Sequence, residues 1–453
     1  MTTPDERNAA LIKWVEEAGG CLHPSVEVYH DPVTKGSFRV KDGCTLTQGE
    51  SVVTLPIARS LSYLNAVCGH PAFPAVTHKN IQDNTPSRDG HWFPAEFLRE
   101  VPPHVVGRFV LMQEYLRGPE SAWWPYLRTL PQPEHVAGML PALWPVDDLE
   151  FLVGTNAYVA VQEIKATLKK EYKQAVKLLP EGDWAGYTRP LYLWAYAIFT
   201  SRSFRPSLII PDAEALALPC EIDDFSVLLP LYDVGNHSPV ARTAWRTDSE
   251  TLLCRLISGQ ACESGSQVFN NYGMKTNAEL LLGYGFILPE EEYLHNDYVH
   301  VRTRATDDDD LAGTHLVSLR PMTDPTSVVG RSKRLTSDDC PGVATQFAHI
   351  QDSLVTSLYE AITRAAATAA GEQDTFEDSA TMDDIVAGRI APPVKERIVQ
   401  ALGSKLSQDL DVLEEVEVPT EGLSENQRLA VRYREQCVKT LENALRCLAS
   451  DDE

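Results

Sequence analysis

Hydrophobic and polar positions follow helical spacing at the start of the chain and strand spacing directly after it. Between residues 5 and 19, apolar side chains recur every three to four positions and a Gly-Gly pair ends the run, which predicts a helix. β-branched and aromatic residues then cluster between turn residues, which predicts short strands at Val26–Tyr29, Ser37–Val40 and Ser51–Leu55.

The pattern becomes helical between about residues 100 and 200. Charged side chains line one side of a long amphipathic stretch, which predicts a single helix from about 146 to 178. The segment from Leu191 to Phe204 is apolar on nearly every side, so we expect a buried helix with Arg202 near its end. This arginine either pairs with a carboxylate or caps the helix, or it offers a fixed positive charge to a ligand carboxylate.

Strand patterns return after the helical block. We predict strands at Ser226–Leu229, Leu252–Ile257 and Gln267–Asn270, and a short helix at about 276–282. Strands before and after about a hundred helical residues indicate one β-domain that is interrupted by a helical insertion. Beyond Pro289, we predict a strand pair, Tyr298–Arg304 with His315–Leu319, around an acidic turn at 307–310.

Helices dominate the last part of the chain. Two are predicted, at Gln346–Ala369 and at Ser424–Leu448, separated in part by an acidic flexible loop at 371–380. The second is opened by the capping box Ser424-x-x-Gln427. Together these patterns predict four parts: an N-terminal helix with the first half of the β-domain (1–99), a helical insertion (100–200), the second half of the β-domain (201–290) and a helical C-terminal domain (291–453).

Charge narrows the possible partners. The chain of 453 residues carries 40 Lys and Arg against 64 Asp and Glu, a formal net charge of −24. Because nucleic-acid binding needs concentrated basic side chains, we expect no nucleic-acid partner. An acidic surface suits basic partners such as lysine-rich protein tails, or it only keeps the protein soluble, and composition leaves both readings open.

The cysteines and the apolar runs argue against a disulfide-rich, metal-binding, secreted or membrane-spanning protein. Nine cysteines are scattered without a CxxC pair, so we expect neither a disulfide framework nor a metal site, and we expect a reducing compartment. The N-terminus lacks an apolar core of signal-peptide length, and no run of apolar residues is long enough for a membrane span. We therefore expect neither secretion nor membrane insertion.

Polar and aromatic residues concentrate between Asp233 and Phe286. The stretch contains Asp-Val-Gly-Asn-His-Ser at 233–238, Asn-Tyr-Gly at 271–273 and Gly-Tyr-Gly-Phe at 283–286, while serine-hydrolase spacing, a P-loop and a dinucleotide fingerprint are missing from the sequence. Asn and His groups can clamp an adenine or an amino-acid amide, and a buried Tyr hydroxyl can orient a reacting centre. The stretch therefore predicts a nucleoside-type ligand beside an aromatic tunnel.

The order of these motifs resembles the SET-domain protein methyltransferases, in the branch of the Rubisco large-subunit methyltransferase. Arg-Ser-Phe at 202–204, DxxNHS, NYG, NAELL at 277–281 and YGF at 284–286 follow that family's order, as do WWPYLRTLP at 123–131 and the helix that begins near residue 424. The resemblance covers nearly the whole chain. It implies an α+β fold, with a SET-type β-fold of short sheets, a helical insertion and a mostly α-helical C-terminal domain.

The resemblance also implies a site for S-adenosylmethionine. Arg202 matches the position that holds the methionine carboxylate, and Tyr272 matches the catalytic tyrosine. The other cofactor positions are a turn formed by Lys35, Gly36, Ser37 and Phe38, then Asp233, Asn236, His237 and Phe286, and Tyr284 joins Tyr272 in the substrate channel. The chain departs from the family in retaining only one glycine of the usual Gly-x-Gly turn.

The implied activity is protein-lysine N-methylation of a non-histone protein, with ribosomal proteins among the candidates. A histidine N-methyltransferase of the same branch and a non-catalytic interaction module are the alternatives. The tyrosine of the YGF motif favours lysine, and the joint presence of Arg202, Asn236, His237 and Tyr272 argues against a module without activity. We expect a monomer in the cytoplasm or nucleus that binds a protein with a target lysine.

Overall fold

The computed structural model describes twelve stretches of the chain: 3–31, 35–67, 72–73, 93–180, 186–211, 218, 220–290, 295–302, 313–327, 343–370, 380–419 and 421–450. The acidic turn predicted at 307–310 and almost all of the loop predicted at 371–380 lie outside the described residues. The chain divides into two compact units, Met1–Met139 with Lys165–Gly273, and Leu140–Ile164 with Met274–Glu453. The four-part division drawn from the sequence stays a prediction.

Helices account for much of both units. In chain order they are α1 Pro4–Glu16, α2 Leu64–Val67, α3 Ala95–Glu100, α4 Pro103–Arg117, α5 Trp124–Leu127, α6 Val146–Leu149, α7 Asn156–Val176, α8 Arg189–Arg202, α9 Asn277–Tyr284, α10 Asp352–Ala370, α11 Met382–Val386, α12 Pro392–Glu414 and α13 Glu425–Leu448. Within the described residues, none of these helices is long and apolar enough to cross a membrane.

The strands are short. They are β1 Cys21–Leu22, β2 Val26–Asp31, β3 Lys35–Val40, β4 Ser51–Pro56, β5 Leu61–Ser62, β6 Ser203–Phe204, β7 Val227–Leu228, β8 Thr243–Thr247, β9 Leu253–Ser258, β10 Gln267–Val268, β11 Tyr298–Arg302 and β12 Thr314–Ser318. In the first unit they form three antiparallel sheets with the orders β1-β4-β9-β8, β10-β3-β2 and β5-β7-β6. The second unit contains the antiparallel pair β11-β12.

The β10-β3-β2 sheet positions the N-terminal part of the candidate site. Phe38 of β3 pairs with Val28 on one side and with Val268 on the other. Side chains alternate across a strand, and both Phe38 and Val40 are fully buried. The sheet therefore brings residues from the beginning of the chain beside the segment that leads into Asn270–Tyr272.

Capping explains where several helices begin. The predicted box at Ser424 is confirmed, because the Ser424 hydroxyl accepts from Gln427 N at 3.1 Å and the Gln427 side chain accepts from Ser424 N at 3.0 Å. Thr276 and Glu279 form the same arrangement at the start of α9. Each box satisfies backbone N–H groups that the first turn of a helix leaves without intrahelical partners.

The C-terminal helix α13 supplies much of the core of the second unit. Residues along one face of α13 lie in this core: Leu429, Tyr433, Cys437, Leu441 and Leu448 are buried, and Leu445 packs against the same cluster. Residues of α10, α12, β11 and β12 complete this core. Helix α12 was not predicted, although its buried Ile398, Leu402 and Leu406 recur at helical spacing.

Two predictions about local structure are wrong. The long helix predicted from about 146 to 178 is broken, because Gly154 adopts a left-handed φ of 87° between α6 and α7. The turn predicted at residues 35–38 is instead the beginning of β3, with Lys35 at a φ of 68° as its first residue. Strand β8 was also missed, and the strands predicted at 226–229 and 267–270 are shorter than expected.

Candidate functional site

Two loop segments about thirty residues apart meet in the first unit. The backbone N–H of Asn270 donates to Asn236 O at 2.7 Å, and Ser238 N donates to Asn270 O at 2.9 Å. These bonds form a parallel bridge between His237 and Asn270. The residues Asn236 and His237 therefore lie directly beside the Asn-Tyr-Gly segment.

Tyr272 is held on this bridge by three contacts. Its ring stacks on His237 with centroids 5.0 Å apart and an angle of 18° between the ring planes. Its backbone N–H donates to His237 Nδ1 at 3.0 Å, and its hydroxyl donates to Gly235 O at 2.9 Å. A phenol oxygen that donates its proton to a carbonyl is still a hydrogen-bond acceptor through its lone pairs.

The loop approaches β3 closely at Gly235. A Cβ atom added to Gly235 would lie 3.2 Å from Cδ2 of the buried Phe38 and 3.5 Å from Cβ of Asn270. A side chain at position 235 would therefore crowd the Phe38 ring, which would have to shift by a few tenths of an ångström. This contact gives Phe38 a packing role beneath the loop.

Arg202 ends α8, as predicted, and forms an ion pair with Asp233. Its Nη1 atom donates to both Oδ2 and the backbone O of Asp233, each at 3.2 Å. The Asp233 side chain is 1% exposed, whereas that of Arg202 is 29% exposed. Arg202 therefore pairs with a carboxylate, which was one of the alternatives drawn from the sequence. Its role toward a ligand stays a prediction, since a planar guanidinium has further donors.

Tyr126 adds a second donor to the carboxylate of this ion pair. The sequence did not indicate this role for Tyr126. The Tyr126 hydroxyl donates to the same Asp233 Oδ2 atom at 3.0 Å, and the Tyr126 ring is fully buried. Burial raises the pKa of the Asp233 carboxyl, although Arg202 and Tyr126 both stabilise its charged form. Burial lowers the pKa of Arg202, but the charge and hydrogen bond of Asp233, together with the nearby Tyr126 and Tyr272, outweigh burial and raise it.

Asn236 is tied to β10 and β2 through side chains that the sequence did not single out. Its Nδ2 atom donates to Gln267 Oε1 at 3.0 Å, and Gln267 Nε2 donates to the Tyr29 hydroxyl at 2.8 Å. The Arg39 guanidinium lies 4.7 Å from the Tyr29 ring centroid. This chain of contacts depends on strand pairing, which leaves no local signal in the sequence.

The first residues of β3 combine exposed backbone with a buried hydroxyl. Lys35 and Gly36 are exposed, and a Cβ atom at Gly36 would meet no described atom within 4 Å. Ser37 is fully buried, and its Oγ atom has no hydrogen-bond partner among the described residues; the same holds for Asn270 Nδ2. Buried polar atoms of this kind need an explanation, and a bound polar ligand is one.

Tyr284 and Phe286 belong to the second unit. Tyr284 is the last residue of α9, Gly285 follows with a left-handed φ of 76°, and the Phe286 ring lies 6.3 Å from that of Tyr284. Burial raises the pKa of Tyr284 to about 12. The ammonium of Lys275 lies 5.9 Å from the Tyr284 ring centroid. The channel role of Tyr284 and the cofactor role of Phe286 stay predictions.

A buried polar cluster holds the start of α9. Asn277 Nδ2 lies within hydrogen-bond distance of Leu288 O at 2.9 Å, Gln436 Oε1 at 2.9 Å and Asp297 Oδ1 at 3.2 Å. Its Oδ1 atom accepts from Leu288 N at 2.9 Å. The asparagine of the NAELL motif therefore connects the segment after Phe286, the start of β11 and helix α13.

Comparisons with known proteins bear on the fold and on the chemistry. No model of a known protein family matches the chain. The chain is 35% identical over 212 residues to the ribosomal lysine N-methyltransferase set10 of Schizosaccharomyces pombe, a match that covers 45% of this chain and 36% of that protein. It is 26% identical over 229 residues to the actin-histidine N-methyltransferase of Drosophila melanogaster, covering 46% of this chain and 40% of that protein. The chain thus spans less than half the length of these relatives.

A solved structure extends the likeness to the fold. The crystal structure of the SET domain of LSMT bound to lysine and AdoHcy superimposes with a TM-score of 0.63 at 15% sequence identity, covering 98% of this chain and 90% of that one. The expected α+β fold, with SET-type short sheets and a helical C-terminal part, is confirmed. The resemblance to SET-domain proteins is likewise confirmed, in fold along nearly the whole chain and in sequence along part of it.

Proposed function

We propose that this protein is an S-adenosylmethionine-dependent protein-lysine N-methyltransferase that acts on a non-histone protein, with ribosomal proteins among the candidates. The observation that carries the proposal is the cluster in the first unit, where the Arg202–Asp233 pair, the Asn236–His237 loop and Tyr272 combine a cation with a half-buried phenol oxygen. The sequence likeness to a ribosomal lysine N-methyltransferase supports lysine as the target.

The residues of the cluster fit the cofactor. Both bonds from Arg202 to Asp233 use Nη1, so the remaining guanidinium donors are suited to the methionine carboxylate. The buried Ser37 Oγ and Asn270 Nδ2 atoms, which have no hydrogen-bond partner among the described residues, suit further polar groups of the ligand. Asn236 and His237 would hold the cofactor amine and the adenine, with the backbone of residues 35–38 beside them.

Tyr272 is suited to orient the lysine amine. When bound, S-adenosylmethionine would supply a methyl group on a positively charged sulfur, and the C–S bond would break, leaving its electron pair on sulfur, as a neutral amine forms the N–C bond. Lysine begins with a pKa of about 10.4, so its ammonium must lose a proton to solvent before the N–C bond forms. A half-buried, partly apolar position lowers that pKa, and the Tyr272 oxygen accepts an amine N–H because its own proton goes to Gly235 O. Such a site requires no dedicated general base.

A second candidate is histidine N-methylation. The match to the Drosophila actin-histidine N-methyltransferase covers 46% of this chain, about as much as the match to set10. An imidazole is largely neutral at physiological pH, with an unperturbed pKa of about 6.5, so it needs less desolvation than a lysine. The same phenol oxygen would then orient the imidazole ring.

Transfer of a radiolabelled methyl group into a cell lysate tests both candidates. The labelled protein is identified by mass spectrometry, and the labelled residue by hydrolysis to free amino acids. The proposal predicts label in methyl-lysine that disappears with Tyr272→Phe. Label in methyl-histidine would establish the second candidate instead, and label that does not depend on the added protein would leave a non-catalytic interaction module.

A further inference from the structure

We propose that Tyr126 is a positioning residue for the cofactor carboxylate, acting through Asp233 on Arg202. The inference rests on the proposed function, because it concerns how Arg202 is kept available for a ligand. Tyr126 lies 107 positions before Asp233 in the chain, yet its hydroxyl and Arg202 Nη1 both donate to the single atom Oδ2 of Asp233. The two donors therefore share one acceptor.

The segment that carries Tyr126 is fixed on both sides. At its start, the indole N–H of Trp123 lies 3.1 Å from Arg59 O and 3.2 Å from Ser60 O. At its end, the indole N–H of Trp194 donates to Pro131 O at 2.7 Å. Short helix α5 is thereby held in place, and the Tyr126 hydroxyl is presented to Asp233 without depending on a mobile loop.

The Tyr126 hydroxyl affects how strongly Asp233 attracts Arg202. A buried carboxylate must receive hydrogen bonds, since it has lost its water. If the Tyr126 hydroxyl is removed, the Arg202 guanidinium is the side-chain donor that remains to Asp233 within the described residues. The carboxylate then attracts the guanidinium more strongly, and a ligand carboxylate must compete with it for the same cation. Because Tyr126 also donates a hydrogen bond to Asp233, the carboxylate attracts Arg202 less strongly. Arg202 is thus better able to bind a ligand.

A second tyrosine–carboxylate–arginine group in the same unit serves as a control. The Tyr192 hydroxyl donates to Glu171 Oε2 at 2.8 Å, and Arg108 Nη1 donates to that same oxygen at 2.7 Å. Tyr192, like Tyr126, is fully buried. This second Tyr–carboxylate–Arg group contains none of the predicted site residues. Tyr192→Phe therefore removes a hydroxyl that donates to a buried carboxylate of the same unit, and that also accepts from Arg108 Nη1 at 2.7 Å, without touching Asp233.

The test compares two ligands on each variant by titration calorimetry. S-adenosylmethionine carries the carboxylate, and decarboxylated S-adenosylmethionine lacks that group while it keeps the amine and the sulfonium. We expect Tyr126→Phe to weaken binding of S-adenosylmethionine about tenfold, the size expected for a hydrogen bond to a charged group. Binding of the decarboxylated ligand should stay within about twofold, and Tyr192→Phe should leave the ratio of the two affinities unchanged.

Other outcomes distinguish a failure of the positioning role from a failure of the proposed function. Equal weakening of both ligands by Tyr126→Phe, or no weakening of either, would overturn the positioning role. If the wild-type protein binds neither ligand, the proposed function itself is wrong. Because both ligands are measured on one preparation, the ratio of affinities does not depend on the fraction of folded protein. The melting temperatures of the two variants report separately on any general loss of stability.

Discussion

Replacing Asp297 with asparagine should stabilise the second unit at neutral pH. The Asp297 side chain lies in the buried cluster around Asn277, and Asp297 as a whole residue is 6% exposed. Burial first, and then the nearby Glu290 carboxylate, raise the pKa of Asp297 to about 6, although Asn277, Lys439 and Arg320 stabilise its charged form. An asparagine oxygen at this position can still accept the bond from Asn277.

The sign and the size of the effect follow from this pKa. The folded protein holds the Asp297 proton more tightly than the unfolded chain, so the contribution of this group to stability is complete below about pH 4 and is lost as the pH rises through about 6. The shift from 3.8 to about 6 corresponds to about 3 kcal/mol. The new amide must find an acceptor for its N–H₂ group, which costs about 1 kcal/mol if one hydrogen stays unbonded. A net gain of about 2 kcal/mol is expected above pH 7.

Urea unfolding of wild-type and Asp297→Asn protein at several pH values measures this gain. Below about pH 4, where only the cost of the amide remains, the variant should be about 1 kcal/mol less stable than wild type, and by pH 7 it should be about 2 kcal/mol more stable. A control is Asp324→Asn: burial would raise the pKa of Asp324, but hydrogen bonds from Thr326 outweigh burial and lower it. This variant should therefore lose stability at neutral pH. If the advantage of Asp297→Asn is the same at pH 4 and pH 7, the reasoning is refuted.

Two further predictions concern the first unit. Tyr272→Phe should lower methyl transfer about a hundredfold or more while cofactor affinity stays within a few-fold, as steady-state kinetics and calorimetry would measure; an equal collapse of affinity would make the tyrosine structural. Glu171→Gln should cost about 3 kcal/mol at pH 7, because hydrogen bonds and charge from His104 and Arg108 outweigh burial and lower the pKa of Glu171 from 4.5 to about 2. That loss should be present above about pH 4.5 and disappear as the pH falls through about 2, which urea unfolding would reveal.

Local signals predicted much of the fold. The capping box at Ser424 and the buried helix that ends at Arg202 were readable because spacing and side-chain type determine them. The helix predicted from about 146 to 178 failed at Gly154, whose left-handed conformation ends a helical run that composition alone would continue. Helix α12 had a periodic signal at Ile398, Leu402 and Leu406 that was overlooked.

Long-range contacts account for what the sequence could not predict about the site. Tyr126 reaches Asp233 across 107 positions, and Gln267 connects Asn236 to Tyr29 through strand pairing. Both depend on how distant segments pack, and neither leaves a periodic or local pattern. The motifs therefore identified the residues that would face a ligand, while the residues that hold them in place required the structure.

Titration calorimetry of the full chain with S-adenosylmethionine tests the central claim most directly. The proposal predicts saturable binding, and Arg202→Lys should weaken it about tenfold, because lysine keeps the charge opposite Asp233 but cannot bind a ligand carboxylate through a planar pair of N–H groups. Absence of binding to the wild-type protein at high micromolar ligand, or an unchanged affinity in the variant, would contradict the account.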